Sequence, residues 1–189
     1  LFNGGTGGLK DRRNFESIIH LIKNYNDPDV TFTLKFTSKI RRWTKKILKK
    51  NMKLIDSDDR VKLICENYER KEYQELLSAN DINLAPSKFE GFGLTLLEAL
   101  HSRVPTITIN QSPMNEIISH GKNGLCISAN EIGKIRQQPI YEINKQEFIS
   151  EFSKLIKNHA KINDMKANTT LYIEKNRKHF INTITDIFN

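Results

Sequence analysis

Two carboxylates, Glu90 and Glu98, flank seven residues and enclose the glycines Gly91 and Gly93. The run containing them reads Ala85-Pro86-Ser87-Lys88-Phe89-Glu90-Gly91-Phe92-Gly93-Leu94-Thr95-Leu96-Leu97-Glu98-Ala99-Leu100. Pro86 stops a short apolar strand, and helical spacing resumes near Leu94. Glycines in the intervening loop let backbone approach a ligand closely. The first amides of the helix, at the positive end of its dipole, suit a phosphate. A carboxylate before the loop and another one turn into the helix can each hold a pair of hydroxyls. A structural role competes with this chemistry. Thr95 to Glu98, and likewise Ser87 to Glu90, have capping-box spacing, and Phe89 and Phe92 suit a core.

The flanking elements decide where such a loop would sit. Helical spacing covers 14–24, with Phe15, Ile18, Ile19 and Ile22 on one face. Asp27-Pro28-Asp29 breaks it, and 30–36 alternates β-branched and aromatic residues as a strand does. A basic amphipathic helix follows Ser38, with Ile40, Trp43, Ile47 and Leu48 on its apolar side. Short strands are expected at 61–65, 82–85, 104–109 and 124–127, and helices at 69–78, 95–101 and 115–119. Strands rich in Val, Ile and Leu that alternate with helices predict a parallel sheet covered on both faces. Right-handed crossovers make a Rossmann-like, doubly wound α/β sheet the simplest topology. In such a sheet ligands sit beyond the carboxyl ends of the strands, where the Glu90 loop must lie. The α/β core is therefore placed at 1–128. Residues 129–144, polar and carrying Gly133 and Pro139, read as a loop or insertion, and 145–189 as C-terminal helices without further strands.

Bulk properties narrow the class. A chain of 189 residues with 38% hydrophobic and 28% charged residues can bury one sizeable core. No apolar run approaches the roughly 20 residues that span a bilayer. Cys65 and Cys126, the two cysteines, lie in apolar strands and read as buried free thiols in a reducing, cytoplasmic setting. The chain opens without Met on Leu1-Phe2-Asn3 and passes directly into Gly4-Gly5-Thr6-Gly7-Gly8, the expected first strand of a domain cut from a longer protein.

The net charge is +8, and every charged residue from Lys35 to Lys53 is basic. That stretch is either a solvated helix face or an attractor of phosphates or of an anionic membrane at 39–50. No aromatic or cysteine spacing of a nucleic-acid module accompanies it. The five histidines are scattered, without metal-ligand spacing, and no Gly-x-Ser-x-Gly turn occurs. The glycine-rich opening fails the dinucleotide pattern, because Lys10 stands at the last glycine position; no Walker sequence exists.

Pro86-Ser87, Glu90-Gly91-Phe92-Gly93-Leu94 and Leu97-Glu98-Ala99 resemble the signature of the group 1 (family four) glycosyltransferases of GT-B fold. The likeness continues in Val104-Pro105-Thr106-Ile107, Asn115-Glu116-Ile117-Ile118 and Gly121-Lys122-Asn123-Gly124-Leu125. Gly4-Gly5 and Arg12-Arg13-Asn14 resemble the family's glycine turn and its following basic group. The resemblance implies the donor-binding half of a retaining enzyme that takes UDP- or GDP-sugars and needs no metal or other cofactor. It places Glu90 against the donor-sugar hydroxyls, with Gly91, Phe92, Gly93 and Leu94 near sugar and diphosphate. It places Glu98 on the ribose, and Arg13, with Lys10 and Arg12 as alternatives, on the diphosphate beside Gly4 and Gly5.

Three departures stand out. The glycine turn lacks the family's common arginine and offers Gly7-Gly8-Leu9-Lys10; Thr95 replaces the usual Pro or Val; and the acceptor domain that normally precedes this half is expected to be missing. The chain should then bind donor and transfer little or nothing by itself to a saccharide, lipid-linked or protein acceptor. A sugar epimerase or phosphorylase shares the two-domain plan without usually carrying the Glu-Gly-Phe-Gly-Leu segment. A non-catalytic nucleotide-binding or interaction module would keep the fold and lose the chemistry.

Overall fold

The computed structural model describes residues 1–188, and Asn189 lies outside the described residues. Six strands, β1 (Phe2–Gly5), β2 (Phe32–Phe36), β3 (Val61–Cys65), β4 (Asn83–Ala85), β5 (Thr106–Ile109) and β6 (Gly124–Ile127), form a sheet in the order β3-β2-β1-β4-β5-β6. Every pairing in it is parallel. This is the doubly wound order, whose chain reverses direction of build between β1 and β4 and opens a ligand crevice there. β1 ends at Gly5 and β4 at Ala85, so the glycine turn and the Glu90 loop leave the sheet side by side at that crevice.

Helices α1 (Phe15–Asn24), α2 (Arg42–Ser57), α3 (Arg70–Ser78), α4 (Leu94–His101) and α5 (Met114–Ile117) make the crossovers. Phe2, Phe15 and Phe36 pack their rings at centroid distances of 5.0 to 6.0 Å beneath the glycine turn. All three are fully buried, each worth roughly 1.5–3 kcal/mol relative to exposure. That aromatic block is the floor on which the site is built. The tail is α6 (Lys145–Ile156) and α7 (His159–Phe188); α6 returns Phe148, Phe152 and Leu155 to the same core. Among the described residues no helix is long and apolar enough to cross a membrane.

The structure corrects two expectations. Residues 129–144 are not a structureless loop: Ala129–Ile135 (β7) and Gln138–Ile143 (β8) form an antiparallel hairpin outside the main sheet. β7 is almost wholly exposed and β8 only half-buried, so no apolar alternation marks the hairpin, and Pro139 argues against a strand. The turn, at Arg136-Gln137 with Arg136 at φ 58°, lacks the Asn-Gly signature of two-residue hairpins. Cys65 is exposed, not buried, because it ends β3 at the open edge of the sheet; Cys126 is buried, and both are free thiols.

Candidate functional site

The glycine turn is shaped by close packing against α2. Gly7 adopts φ 90°, and a Cβ there would lie 1.9 Å from the Thr44 hydroxyl oxygen. The turn is closed by Gly7 N–H donating to Gly4 O at 2.7 Å and held to α2 by Arg41 N–H donating to Thr6 O at 2.9 Å. Beyond it, the buried Asp11 carboxylate accepts the amides of Phe15 (3.0 Å) and Glu16 (3.1 Å) and so fixes the start of α1. Burial pushes Asp11 up to about 6, the two amides opposing. Arg12 and Arg13 are thereby locked between the turn and α1. Lys88 N–H donates to Arg12 O at 2.8 Å, which fastens this segment to the Glu90 loop.

Glu90 is only 7% exposed and is gripped by both arginines, Arg13 in the closest contact and Arg12 at 3.4 Å. Arg13 also donates to Thr95 Oγ1 at 3.2 Å. The residue that departs from the family pattern thus helps orient the central cation. Burial pulls Arg13 below its ordinary range, and the neighbouring Glu90 resists that shift. Arg12 lies over the Phe89 ring at 5.7 Å. The Arg12 Nε is buried without a hydrogen-bond partner.

Helix α4 begins at Leu94 with Gly93 as its N-cap, in the left-handed region at φ 73°. No side chain caps it, which leaves its first amides open to an anion. Phe92 and Leu94 are 70% and 60% exposed beside the loop, so Phe92 is not core. With the helix starting at Leu94, Glu98 lies a full turn inside it and caps nothing. Its carboxylate instead faces a cavity of about 320 Å³ lined by Asn3, Gly5, Lys35, Tyr68, Arg70 and Tyr73. Partial burial raises Glu98 above the ordinary carboxylate range, with Arg13 and Arg70 opposing. Tyr73 is pushed up to about 12 by burial and by Glu98, and its hydroxyl accepts from Asn3 Nδ2 at 2.6 Å.

A second cavity, of about 430 Å³, is walled by Gly4, Gly5, Arg12, Arg13, Arg41 and Arg136 among others. Gly5 lines both cavities, so they meet at the end of β1. The two cavities thus bring Gly4, Gly5, Arg12, Arg13 and Glu98 together, and Glu90 joins them through its pairs with both arginines; Gly91, Phe92, Gly93 and Leu94 line neither cavity. Lys10 is not brought to either one. Its exposed side chain lines a separate cavity with Trp43, Lys46 and Lys50.

Several lining residues escaped the sequence reading. Lys35 is buried, donates to Phe36 O at 2.9 Å and to Glu66 O, and lies over the Tyr68 ring at 4.3 Å. A lysine inside an otherwise apolar strand was the available signal, since lysine is almost never buried without a partner. Tyr73 and Arg70 sit on the exposed-looking helix α3, and nothing in their spacing points to Glu98. Arg136 stands in the turn between β7 and β8, where no strand pattern in the sequence marks it.

Residues 9–170 match the family model of the glycosyl transferases group 1. Among curated proteins, N-acetyl-alpha-D-glucosaminyl L-malate synthase of Bacillus anthracis is 34% identical over 73 residues, 39% of this chain and 19% of that protein. The matched segments span about a fifth of the length of such relatives. The C-terminal domain of a glycosyl transferase group 1 family protein (LpcC) from Francisella tularensis has the same fold. Its TM-score is 0.69 at 20% identity, over 92% of this chain and 83% of that one. The pneumococcal O-GlcNAc transferase GtfA, solved with UDP and GlcNAc, aligns with TM-score 0.68 at 18% identity, over 100% of this chain and 35% of that one.

Proposed function

This chain belongs to the group 1 glycosyl transferases, and from that premise we propose that its crevice binds a nucleoside diphosphate sugar, a UDP- or GDP-sugar, as the donor in sugar transfer. One observation carries the reading: the two cavities that meet at Gly5 hold complementary chemistry, Glu98 in one and Arg12 and Arg13 with Glu90 beside the other. The nucleoside lies against Glu98, whose carboxylate accepts the ribose hydroxyls. The diphosphate lies at the glycine turn, against Arg13 and the open amides of α4, and Glu90 meets the sugar hydroxyls. When the bond to the anomeric carbon breaks, negative charge grows on the leaving diphosphate. Fixed donors already aimed there stabilise it without reorganisation. UDP in the structure of the pneumococcal relative supports a uridine donor here. Transfer of a hexosyl group with retention and without a bound metal, and dependence on a further domain for the acceptor, complete the proposal.

A thermal-shift panel of UDP, GDP, ADP and CMP, then their sugars and NAD, tests it. A ligand at a hundredfold its Kd stabilises the folded state by about 2.7 kcal/mol, several degrees in Tm. One nucleoside diphosphate should stand out. A response to NAD alone, or to none of the panel, would favour a module that has lost donor binding.

We extend the proposal to contact with an anionic membrane through α2. Trp43, expected on the apolar side of α2, is instead 52% exposed between the exposed cations Arg42, Lys45 and Lys46, the mixture that settles at a lipid headgroup layer. Each lysine near such a surface contributes about 1 kcal/mol. Replacing Lys45, Lys46, Lys49 and Lys50 by glutamate should abolish flotation with phosphatidylserine vesicles. Flotation of the variant at the wild-type level would remove the membrane from the reading.

A further inference from the structure

The arginine-walled cavity holds more positive charge than a donor diphosphate requires. Arg12, Arg13, Arg41 and Arg136 all line it, and Glu90 is the one carboxylate paired with any of them among the described residues. A sugar diphosphate diester, with one negative charge on each phosphorus, leaves the cavity still positive. The four cations also differ in depth. Arg13 is partly buried and paired with Glu90, whereas Arg41 and Arg136 are exposed at the mouth and have no ion pair among the described residues.

The positions of the outer pair are built rather than incidental. Arg41 precedes α2, and its amide is bonded to the glycine turn. No acidic residue stands in the first turn of α2, and no side chain caps it, so the positive end of that helix adds to the field at the mouth. Arg136 forms the tip of the β7–β8 hairpin, whose base is pinned to the Glu90 loop. Tyr141 N–H donates to Lys88 O at 2.9 Å, and Glu142 takes both the Lys88 ammonium and the Ser17 hydroxyl at 2.9 Å. Arg12, whose Nε is without a partner, accepts the Lys88 amide at its carbonyl oxygen.

We propose that Arg41 and Arg136 form a second anion site that binds a phosphate group on the acceptor, so that the hairpin selects phosphate-bearing acceptors. This rests on the donor assignment above, which gives Arg13 and the open amides of α4 to the donor diphosphate. The two exposed arginines then hold the incoming group at the mouth, outside the Arg13–Glu90 pair.

The test measures methyl phosphate binding by calorimetry to the chain saturated with UDP or GDP, and to the nucleotide-free chain. The double variant Arg41→Gln with Arg136→Gln should weaken methyl phosphate about tenfold or more, as expected for charge-assisted bonds, and nucleotide by less than about threefold. A control with the remote exposed cations changed, Lys62→Gln with Lys157→Gln, should alter neither. Octyl phosphate run alongside assigns the source: tighter binding than methyl phosphate indicates a lipid-borne phosphate, equal binding a soluble one. Nucleotide affinity falling as far as methyl phosphate affinity would return both arginines to the donor site. Methyl phosphate binding unchanged by the double variant, or weakened equally by the control, would also overturn the proposal. Failure of nucleotide to bind the wild-type chain would remove the donor reading alone, since methyl phosphate on the nucleotide-free chain still reports on Arg41 and Arg136.

Discussion

Arg13→Ala is expected to cost about 3 kcal/mol of folding stability and to weaken binding of a nucleoside diphosphate sugar by roughly tenfold to a hundredfold. The stability loss comes from the pairing with Glu90, whose side chain is 6% exposed against 18% for Arg13. Without Arg13, Glu90 keeps only the longer contact with Arg12 at 3.4 Å. A carboxylate left in a largely dry site with one distant partner is the costly half of a broken ion pair. The affinity loss has a separate origin, removal of the cation held between Glu90 and Thr95 at the diphosphate position. The double variant Arg13→Met with Glu90→Gln separates the two. Neutralising both partners removes the stranded charge, so urea unfolding should recover most of the stability. Calorimetry with the intact diphosphate sugar should show affinity still weak. If affinity returned along with stability, Arg13 would serve the fold and not the diphosphate.

That distinction between a structural and a ligand-facing charge is also where sequence reading reached its limit. The sheet was legible because its strands are buried on both faces: β2, β5 and β6 read as short runs of β-branched and apolar residues between turn signals. The crevice followed from topology alone, since strand ends in a doubly wound sheet determine where loops gather. Glu90 and Glu98 were legible as a pair through the glycines between them, yet their opposite circumstances were not. Spacing could not tell that Glu90 is buried between two arginines while Glu98 opens onto a cavity with Tyr73 and Arg70. Both depend on side chains distant in the chain.

The hairpin was illegible for a different reason. β7 is exposed along most of its length and β8 buries only Ile143 fully, so the hydrophobic alternation that identifies strands never forms. They are held by polar anchors, Glu142 with Lys88 and Ser17, which leave no periodic trace. The α2 boundary shows a milder form of the same effect. Helical spacing extends the helix back toward Ser38, but the pinning of Arg41 to Thr6 O keeps Arg41 extended, and the helix starts at Arg42.

Replacing Glu98 by glutamine should weaken binding of the diphosphate sugar by about tenfold or more through the loss of charge-assisted bonds to the ribose, with stability changed by less than about 0.5 kcal/mol. Stability is spared because α4 starts from Gly93 as its N-cap and the Glu98 side chain, open to solvent, takes part in no cap. Had the capping-box spacing been realised, the same change would have disturbed the helix start. A pH series adds a second readout. Because partial burial holds Glu98 above the ordinary carboxylate range, it gains its proton earlier than a free carboxylate as pH falls. The protonated group loses its charge and part of its accepting capacity, so wild-type affinity should decline toward acid pH while Glu98→Gln stays nearly flat. A diphosphate sugar is the right probe, since its diester phosphates do not titrate in that window. Comparing it with its 2′-deoxyribose counterpart locates the contact: the deoxy ligand should bind the wild type more weakly and lose little further affinity in Glu98→Gln. Equal losses for both ligands, or a pH profile unchanged by the substitution, would take the ribose away from Glu98 and leave that cavity to another part of the ligand.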